Sequence, residues 1–187
     1  MTALCQLQRC AHAGTAATIT STNSHSIAAL AGGNSSSEFY ATGSTGLTLT
    51  GSAVTTFSGR LRGNTKLNHN GTGSLTLNGS NTFTGATAIN AGKLIISGSV
   101  TSDLTASTTG ILAPQGSPAT SGSVSITANG RLEVRPGDTL TIGTTVTLAG
   151  NLDIIAPPGL TPDTSYTILN KTSTAATSGS FAGKPEG

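Results

Sequence analysis

Leu75-Thr76-Leu77-Asn78-Gly79-Ser80 leads into Asn81-Thr82-Phe83-Thr84-Gly85-Ala86-Thr87-Ala88-Ile89-Asn90-Ala91-Gly92-Lys93-Leu94-Ile95-Ile96-Ser97-Gly98, a run of very short strand-like pieces, each stopped by glycine or asparagine. No piece is long enough for a helix, which needs roughly 8–20 residues of 3.6-residue periodicity. The pattern spreads outward as apolar-polar-apolar triplets: Leu47/Leu49, Leu75/Leu77, Val124/Ile126, Leu132/Val134, Leu140/Ile142, Val146/Leu148 and Leu152/Ile154. Side chains alternate between the faces of a strand, so both apolar members of a triplet point one way and the middle residue the other. The middle residues are Thr48, Thr76, Ser125, Glu133, Thr141, Thr147 and Asp153. All are polar, which predicts one buried and one wet face.

Composition agrees with many thin strands rather than a thick core. Charged residues are 9% and aromatics 3% of the chain, against about 25% charged in an ordinary domain. Thr, Ser and Gly together exceed two-fifths of the sequence. A polar, Ser/Gly-rich chain is also a candidate for disorder, but a linker has no use for regular alternation. An internal echo adds to the argument. Leu47-Thr48-Leu49-Thr50-Gly51-Ser52 recurs as Leu75-Thr76-Leu77-Asn78-Gly79-Ser80, each followed by Thr-Phe-x-Gly, at Thr56 to Gly59 and at Thr82 to Gly85. Self-similarity at about 20–50 residues is the mark of repeat architectures. Asn70-Gly71, Asn78-Gly79, Ala91-Gly92, Asn129-Gly130, Pro136-Gly137 and Ala149-Gly150 read as corners with positive φ. Corners this frequent bend the chain about three times in 20 residues, which suits a coil of stacked rungs better than a sandwich. The expected fold is all-β, a right-handed parallel β-helix (solenoid) of short strands over residues ~40–155. At ~4.8 Å per rung it would be on the order of 30 Å long. Leu75, Leu77, Ile89, Leu94 and Ile96 are expected in one buried stack with Phe83 close to it.

The opening stretch closely resembles the autotransporter-associated β-strand repeat, whose usual form is Leu-Thr-Leu, Gly-x-Asn-Thr, an aromatic, Thr-Gly, a Thr-rich strand and Asn-Ala-Gly-x-Leu. The likeness is strongest over residues ~44–98 and looser over ~99–155; residues 1–40 match little and are expected to be partly disordered or the first rungs of the coil. It implies a non-enzymatic scaffold or adhesive piece of a secreted or surface-displayed β-helical passenger. The implied partner is a surface polysaccharide, or a host or neighbouring cell surface. A carbohydrate-binding or polysaccharide-degrading β-helix is the alternative.

Residues 156–187 change pattern, with Pro157-Pro158-Gly159 and Thr161-Pro162-Asp163 followed by a strand at Tyr166 to Leu169. They read as a closing element. The ending Phe181-Ala182-Gly183-Lys184-Pro185-Glu186-Gly187 resembles a Phe-x-Gly-Leu-Pro-Glu-Gly segment found inside longer proteins of this kind. Met1 to Gly14 has Arg9 in its middle and no apolar run of ~7–15 residues, so it makes no signal-peptide core. The expectation is therefore a fragment with a poorly ordered N-terminus of about 25 residues. An uncapped coil end exposes strand edges, so self-association through open ends is expected too.

No residue set completes a catalytic, cofactor or metal site. Seven carboxylates are available, at Glu38, Asp103, Glu133, Asp138, Asp153, Asp163 and Glu186. Glycoside hydrolysis needs two carboxylates ~5–10 Å apart, and only Glu133 and Asp153 have the spacing for adjacent rungs. The simpler reading makes them solvated charges near Arg131 and Arg135. His69 reads as a solvated surface residue. Cys5 and Cys10, with His12 nearby, lack the further ligands a zinc site requires. No Gly-x-Ser-x-Gly, Gly-x-Gly-x-x-Gly or Gly-Lys-Ser/Thr occurs. Arg60, Arg62 and Lys66 are the nearest approach to a basic cluster, too sparse for a nucleic-acid footprint. No run approaches the ~20 apolar residues of a membrane span. Outward Thr-x-Thr at Thr48, Thr139 and Thr145 could form a flat array suited to ice or crystalline polysaccharide, but Ser125, Glu133 and Asp153 are read as interrupting it.

Overall fold

The structure, a computed structural model, describes residues 18–158 and 164–183. Every strand pairing among the described residues is parallel. The chain visits three faces in turn. One is an eight-stranded sheet from His25–Ile27 to Thr177–Gly179, and the second a six-stranded sheet from Val54–Phe57 to Asn151–Ile154. The third is split into a three-stranded piece ending at Arg60–Gly63 and a five-stranded piece beginning at Ser80–Asn81. Leu47 stands beside Leu67 and Leu67 beside Thr87, so a rung takes roughly twenty residues, the period of a solenoid. The all-β parallel solenoid expected from the alternation is therefore the observed fold.

The core is a set of ladders in which one inward residue sits on its equivalent in the next rung. Leu75, Leu94, Leu112, Leu132 and Leu152 form such a ladder in consecutive register on the six-stranded sheet. Leu75, Leu77, Phe83, Ile89, Leu94 and Ile96 are at most 1% exposed and share one core cluster. Burying a leucine completely is worth about 1.5–3 kcal/mol. Leu77 touches Phe57 above and Ile96 below in the register, so Leu77→Ala opens a hole that neither strand can close. The expected cost is about 3 kcal/mol, within the ~2–5 range for such truncations, read as a lowered urea midpoint.

Three sequence expectations are sharpened or change. First, strands extend the coil on either side of ~40–155, so residues 18–40 take the first-rung alternative, while residues 1–17 of the stretch expected to be poorly ordered lie outside the described residues. Thr18–Ser21 pairs with Glu38–Ala41 and His25–Ile27 with Gly46–Leu49. At the other end, Leu169–Lys171 and Thr177–Gly179 extend two of the faces, and the strand read at Tyr166 to Leu169 starts only at Leu169. Second, the Leu-Thr-Leu echo is not a structural repeat, because Gly46–Leu49 lies in the eight-stranded sheet and Ser74–Leu77 in the six-stranded one. An inward Leu, outward Thr, inward Leu serves equally on any face. Third, of the six glycine corners named above only Gly92 and Gly137 have positive φ. At Gly71, Gly79, Gly130 and Gly150 a Cβ would instead strike the carbonyl oxygen of Gly51, Gly59, Ala106 and Gly130 respectively. Those glycines let one corner nest on another, a close-approach role rather than a conformational one.

Candidate functional site

Adjacent strands Arg131–Val134 and Asn151–Ile154 place Glu133 beside Asp153 on the outer surface of the six-stranded sheet. The expected pair is thus formed, and each member is already engaged by a cation. Arg131 Nη1 donates to Asp153 Oδ2 at 2.9 Å, and Lys93 Nζ to Glu133 Oε2 at 2.6 Å. Lys93 sits two rungs from Arg131, with Ile111 between them in register. Its side chain spans the intervening strand, where Ala113 is only 4% exposed although it lies on the outer surface. Glu133 is therefore less solvated than expected, its side chain 11% exposed. Sequence reading missed Lys93 because forty residues separate it from Glu133, a distance meaningful only once the rung length is known. Asp153→Asn is expected to cost under about 1 kcal/mol and Glu133→Gln about 1–2 kcal/mol, measured by denaturant titration.

The remaining described carboxylates have structural partners. Glu38 accepts from Arg62 Nη1 at 3.0 and 3.1 Å, Asp103 from the Ser123 N–H and Asp138 from the Gly116 N–H. Asp163 and Glu186, like Cys5, Cys10 and His12, lie outside the described residues.

His69 corrects an expectation: it is 3% exposed and points into the coil, in register with Leu49 and Ile89. The signal was present, since alternation from inward Leu67 puts residue 69 on the same side. Its Nδ1 has no hydrogen-bond partner among the described residues. Burial pushes its pKa below the usual 6.5, against smaller opposing effects of backbone hydrogen bonds. The folded state thus holds the ring neutral while the unfolded chain protonates near 6.5. This contribution to stability is complete above that pH, falls as pH drops below it, and is gone below the depressed folded value. Urea midpoints at about pH 7.5 and 5 are expected to show the loss, and His69→Leu, which extends the Leu49 column, to shrink it.

His25 Nε2 lies 2.6 Å from Ser21 Oγ, but that hydroxyl also lies 2.9 Å from the Asn23 carbonyl as its donor. One proton cannot serve both, and no carboxylate among the described residues bonds His25. On the eight-stranded sheet the outward column reads Ser26, Thr48, Asn68, Ala88, Thr105, Ser125, Thr147 and Ser178. Glu133 and Asp153 stand on a different face, so they do not interrupt this column as the sequence suggested. Asn68 and Ala88 do, by breaking the hydroxyl row in its middle.

The stretch from Leu75 to Gly98 has its own geometry. Its Ser74–Leu77 strand is the register partner of its Lys93–Ile96 strand, with Leu75 on Leu94 and Leu77 on Ile96. Lys66–His69 likewise pairs with Thr87–Ile89. The stretch is one self-paired turn and the start of the next, which is what a transferable repeat unit of a solenoid must be. Residues 67–96 match the passenger-associated-transport-repeat. The limits of that repeat fall at the start of one turn and at the end of the strand that seals it. No curated protein and no solved structure matches the chain.

Within the repeat, Asn81 has a role the sequence reading did not assign. It is 1% exposed. Its Oδ1 accepts the Leu61 N–H at 2.9 Å, and its Nδ2 donates to the Gly79 carbonyl at 2.8 Å and to the Ser99 carbonyl at 3.4 Å. The Thr82 N–H returns to the Leu61 carbonyl at 2.9 Å. The side chain therefore joins the three-stranded and five-stranded pieces of the third face where the strand ladder is interrupted, alongside the Thr82 and Thr84 N–H bonds to the Leu61 and Gly63 carbonyls.

Proposed function

We propose that this chain is a non-enzymatic segment of a passenger-like protein, secreted or displayed at a cell surface, where the coil acts as a scaffold and adhesive stalk. The observation that supports this reading is a passenger-associated-transport-repeat whose register on the eight-stranded and six-stranded sheets runs unbroken into the rungs on both sides. A coil held by parallel ladders presents long outer faces, an arrangement suited to contact with an extended partner. The ion-paired state of Glu133 and Asp153 supports a structural role for them, since a general acid must be free to hold and release a proton. Ile154 and Ile155, 56% and 44% exposed at the end of the six-stranded sheet, support association through that end.

The test is to place the chain between a secretion leader and an outer-membrane translocator barrel, with an epitope tag in the Asn64 corner. Surface labelling and protease shaving of intact cells are expected to reach the tag. Retention of a folded, protease-protected chain inside the cell would overturn the reading. Cleavage of a polysaccharide by the purified chain, lost in the Glu133→Gln/Asp153→Asn variant, would replace it with the carbohydrate-active alternative.

A further inference from the structure

We infer that the three-stranded piece of the third face carries a docking site for an acidic, uronate-type polysaccharide, centred on Tyr40, Arg60 and Arg62. The inference rests on the surface-contact reading above and names the ligand class and the face. Parallel register sets Glu38 beside Arg60 and Tyr40 beside Arg62, with Thr18 and Thr20 in the next strand. These alternate residues all point outward, while Phe39, Ala41 and Leu61 between them are buried. Neighbouring strands are about 4.8 Å apart and same-side residues within a strand about 6.5–7 Å. The result is a flat block of four large polar side chains about one sugar residue across.

Charge assigns the ligand. Each described carboxylate is engaged: Glu38, Glu133 and Asp153 by cations, Asp103 and Asp138 by backbone N–H groups. The cations are not balanced in the same way. Arg60 uses Nε on the Ser35 carbonyl at 3.0 Å, and among the described residues nothing bonds its two Nη atoms. Lys66, beyond the corner at Asn64 and Thr65, also has no carboxylate partner among the described residues, and both it and Arg60 are exposed. The formal net charge of the chain is +2, and this end holds three of its cations against one acid. Arg62, already bonded through Nη1 to both oxygens of Glu38, is held in place beside the ring of Tyr40.

The ring supplies the second half of the recognition. Tyr40 is 39% exposed, the only tyrosine on the strands, and its neighbour Gly63 leaves the ring edge clear, since a Cβ there would lie 3.1 Å from Cε2 of Tyr40. A flat ring takes the apolar face of a sugar, and an adjacent guanidinium fork takes a planar carboxylate. A neutral glycan would leave the fork unused, and a simple anion would leave the ring unused.

The intact chain should be titrated calorimetrically with oligogalacturonate, its methyl ester, and dextran sulfate. Saturable binding of the free acid, with loss of at least about tenfold on methyl esterification, is expected. Tyr40→Ala and Arg60→Gln should each reduce affinity about tenfold or more with unchanged circular dichroism, while Arg135→Gln, at an exposed cation just past the Arg131–Val134 strand with no side-chain partner among the described residues, should not. Equal losses in all three variants, or dextran sulfate binding that ignores Tyr40, would reduce the site to general charge attraction and overturn the inference. Absence of saturable oligogalacturonate binding at millimolar concentration would overturn it directly. Neither result bears on the surface-display assay, so the two readings fail independently.

Discussion

Asn81→Asp is expected to unfold the coil at neutral pH under conditions where the parent chain is fully folded. The substitution keeps the volume and the oxygen that accepts the Leu61 N–H, but it replaces the amide donor facing the Gly79 and Ser99 carbonyls with a second carboxylate oxygen. A negative charge is then buried against two carbonyl oxygens, with no cation among the side chain's hydrogen-bond partners in the described residues. An uncompensated buried charge of this kind costs about 3–5 kcal/mol, a large fraction of the stability of any single domain. Acidification supplies the diagnostic sign. Protonating the introduced carboxyl restores a donor, so the variant should recover stability as pH falls while the parent loses some through His69. Crossing stability curves in urea titrations are the expected result. A variant as stable as the parent at neutral pH would mean that the two pieces of the third face are held together by something other than this side chain.

Gly92→Ala is expected to be as damaging for a steric reason. Gly92 has φ of 60°, where an L-residue with a side chain loses roughly 1–2 kcal/mol. A Cβ there would press on the carbonyl oxygens of Gly73 and Gly71 and come within 2.9 Å of Cε1 of the buried His69. Two of those three obstacles are backbone atoms, one of them the Gly73 carbonyl oxygen that accepts the Lys93 N–H, and they have little room to move. Overpacking adds about 1–3 kcal/mol or more, so a total of about 4 kcal/mol is expected, read as loss of the cooperative denaturation transition. Alanine at Gly137, which also has positive φ but no atom within 4 Å of a Cβ, isolates the conformational share and should cost about 1–2 kcal/mol.

These positions show how the repeat motif encodes its turn. The apolar columns come from alternation, while Asn81 and Gly92 occupy the two places where alternation stops. One repairs a break in hydrogen bonding, and the other admits the corner of one rung beneath the next. Both are fixed letters of the repeat resemblance, at Gly-x-Asn-Thr and Asn-Ala-Gly-x-Leu. Neither letter shows its purpose in sequence, because its partners sit on a neighbouring rung.

The sequence by itself determined strand identity, side-chain polarity and the stacked architecture. Period-two alternation in Ser74–Leu77 or Arg131–Val134 leaves one water-free face, and burial of that face is local arithmetic. It determined the core column through Leu75 and Leu94, and properly followed it would have placed His69 indoors. Tertiary structure alone decided which rows share a face. The two Leu-Thr-Leu copies look equivalent but stand on different sheets, because the 28 residues between them are one rung of about twenty plus the step to the next face, and no short stretch of sequence states the rung length. The same cause hid the Lys93 to Glu133 bridge, the separation of the acidic pair from the threonine column, and the meeting of Tyr40 with Arg62. In a parallel coil every contact between rungs is a contact about twenty residues away. Register, which sums all the intervening corner lengths, is the one quantity that no short stretch of sequence contains.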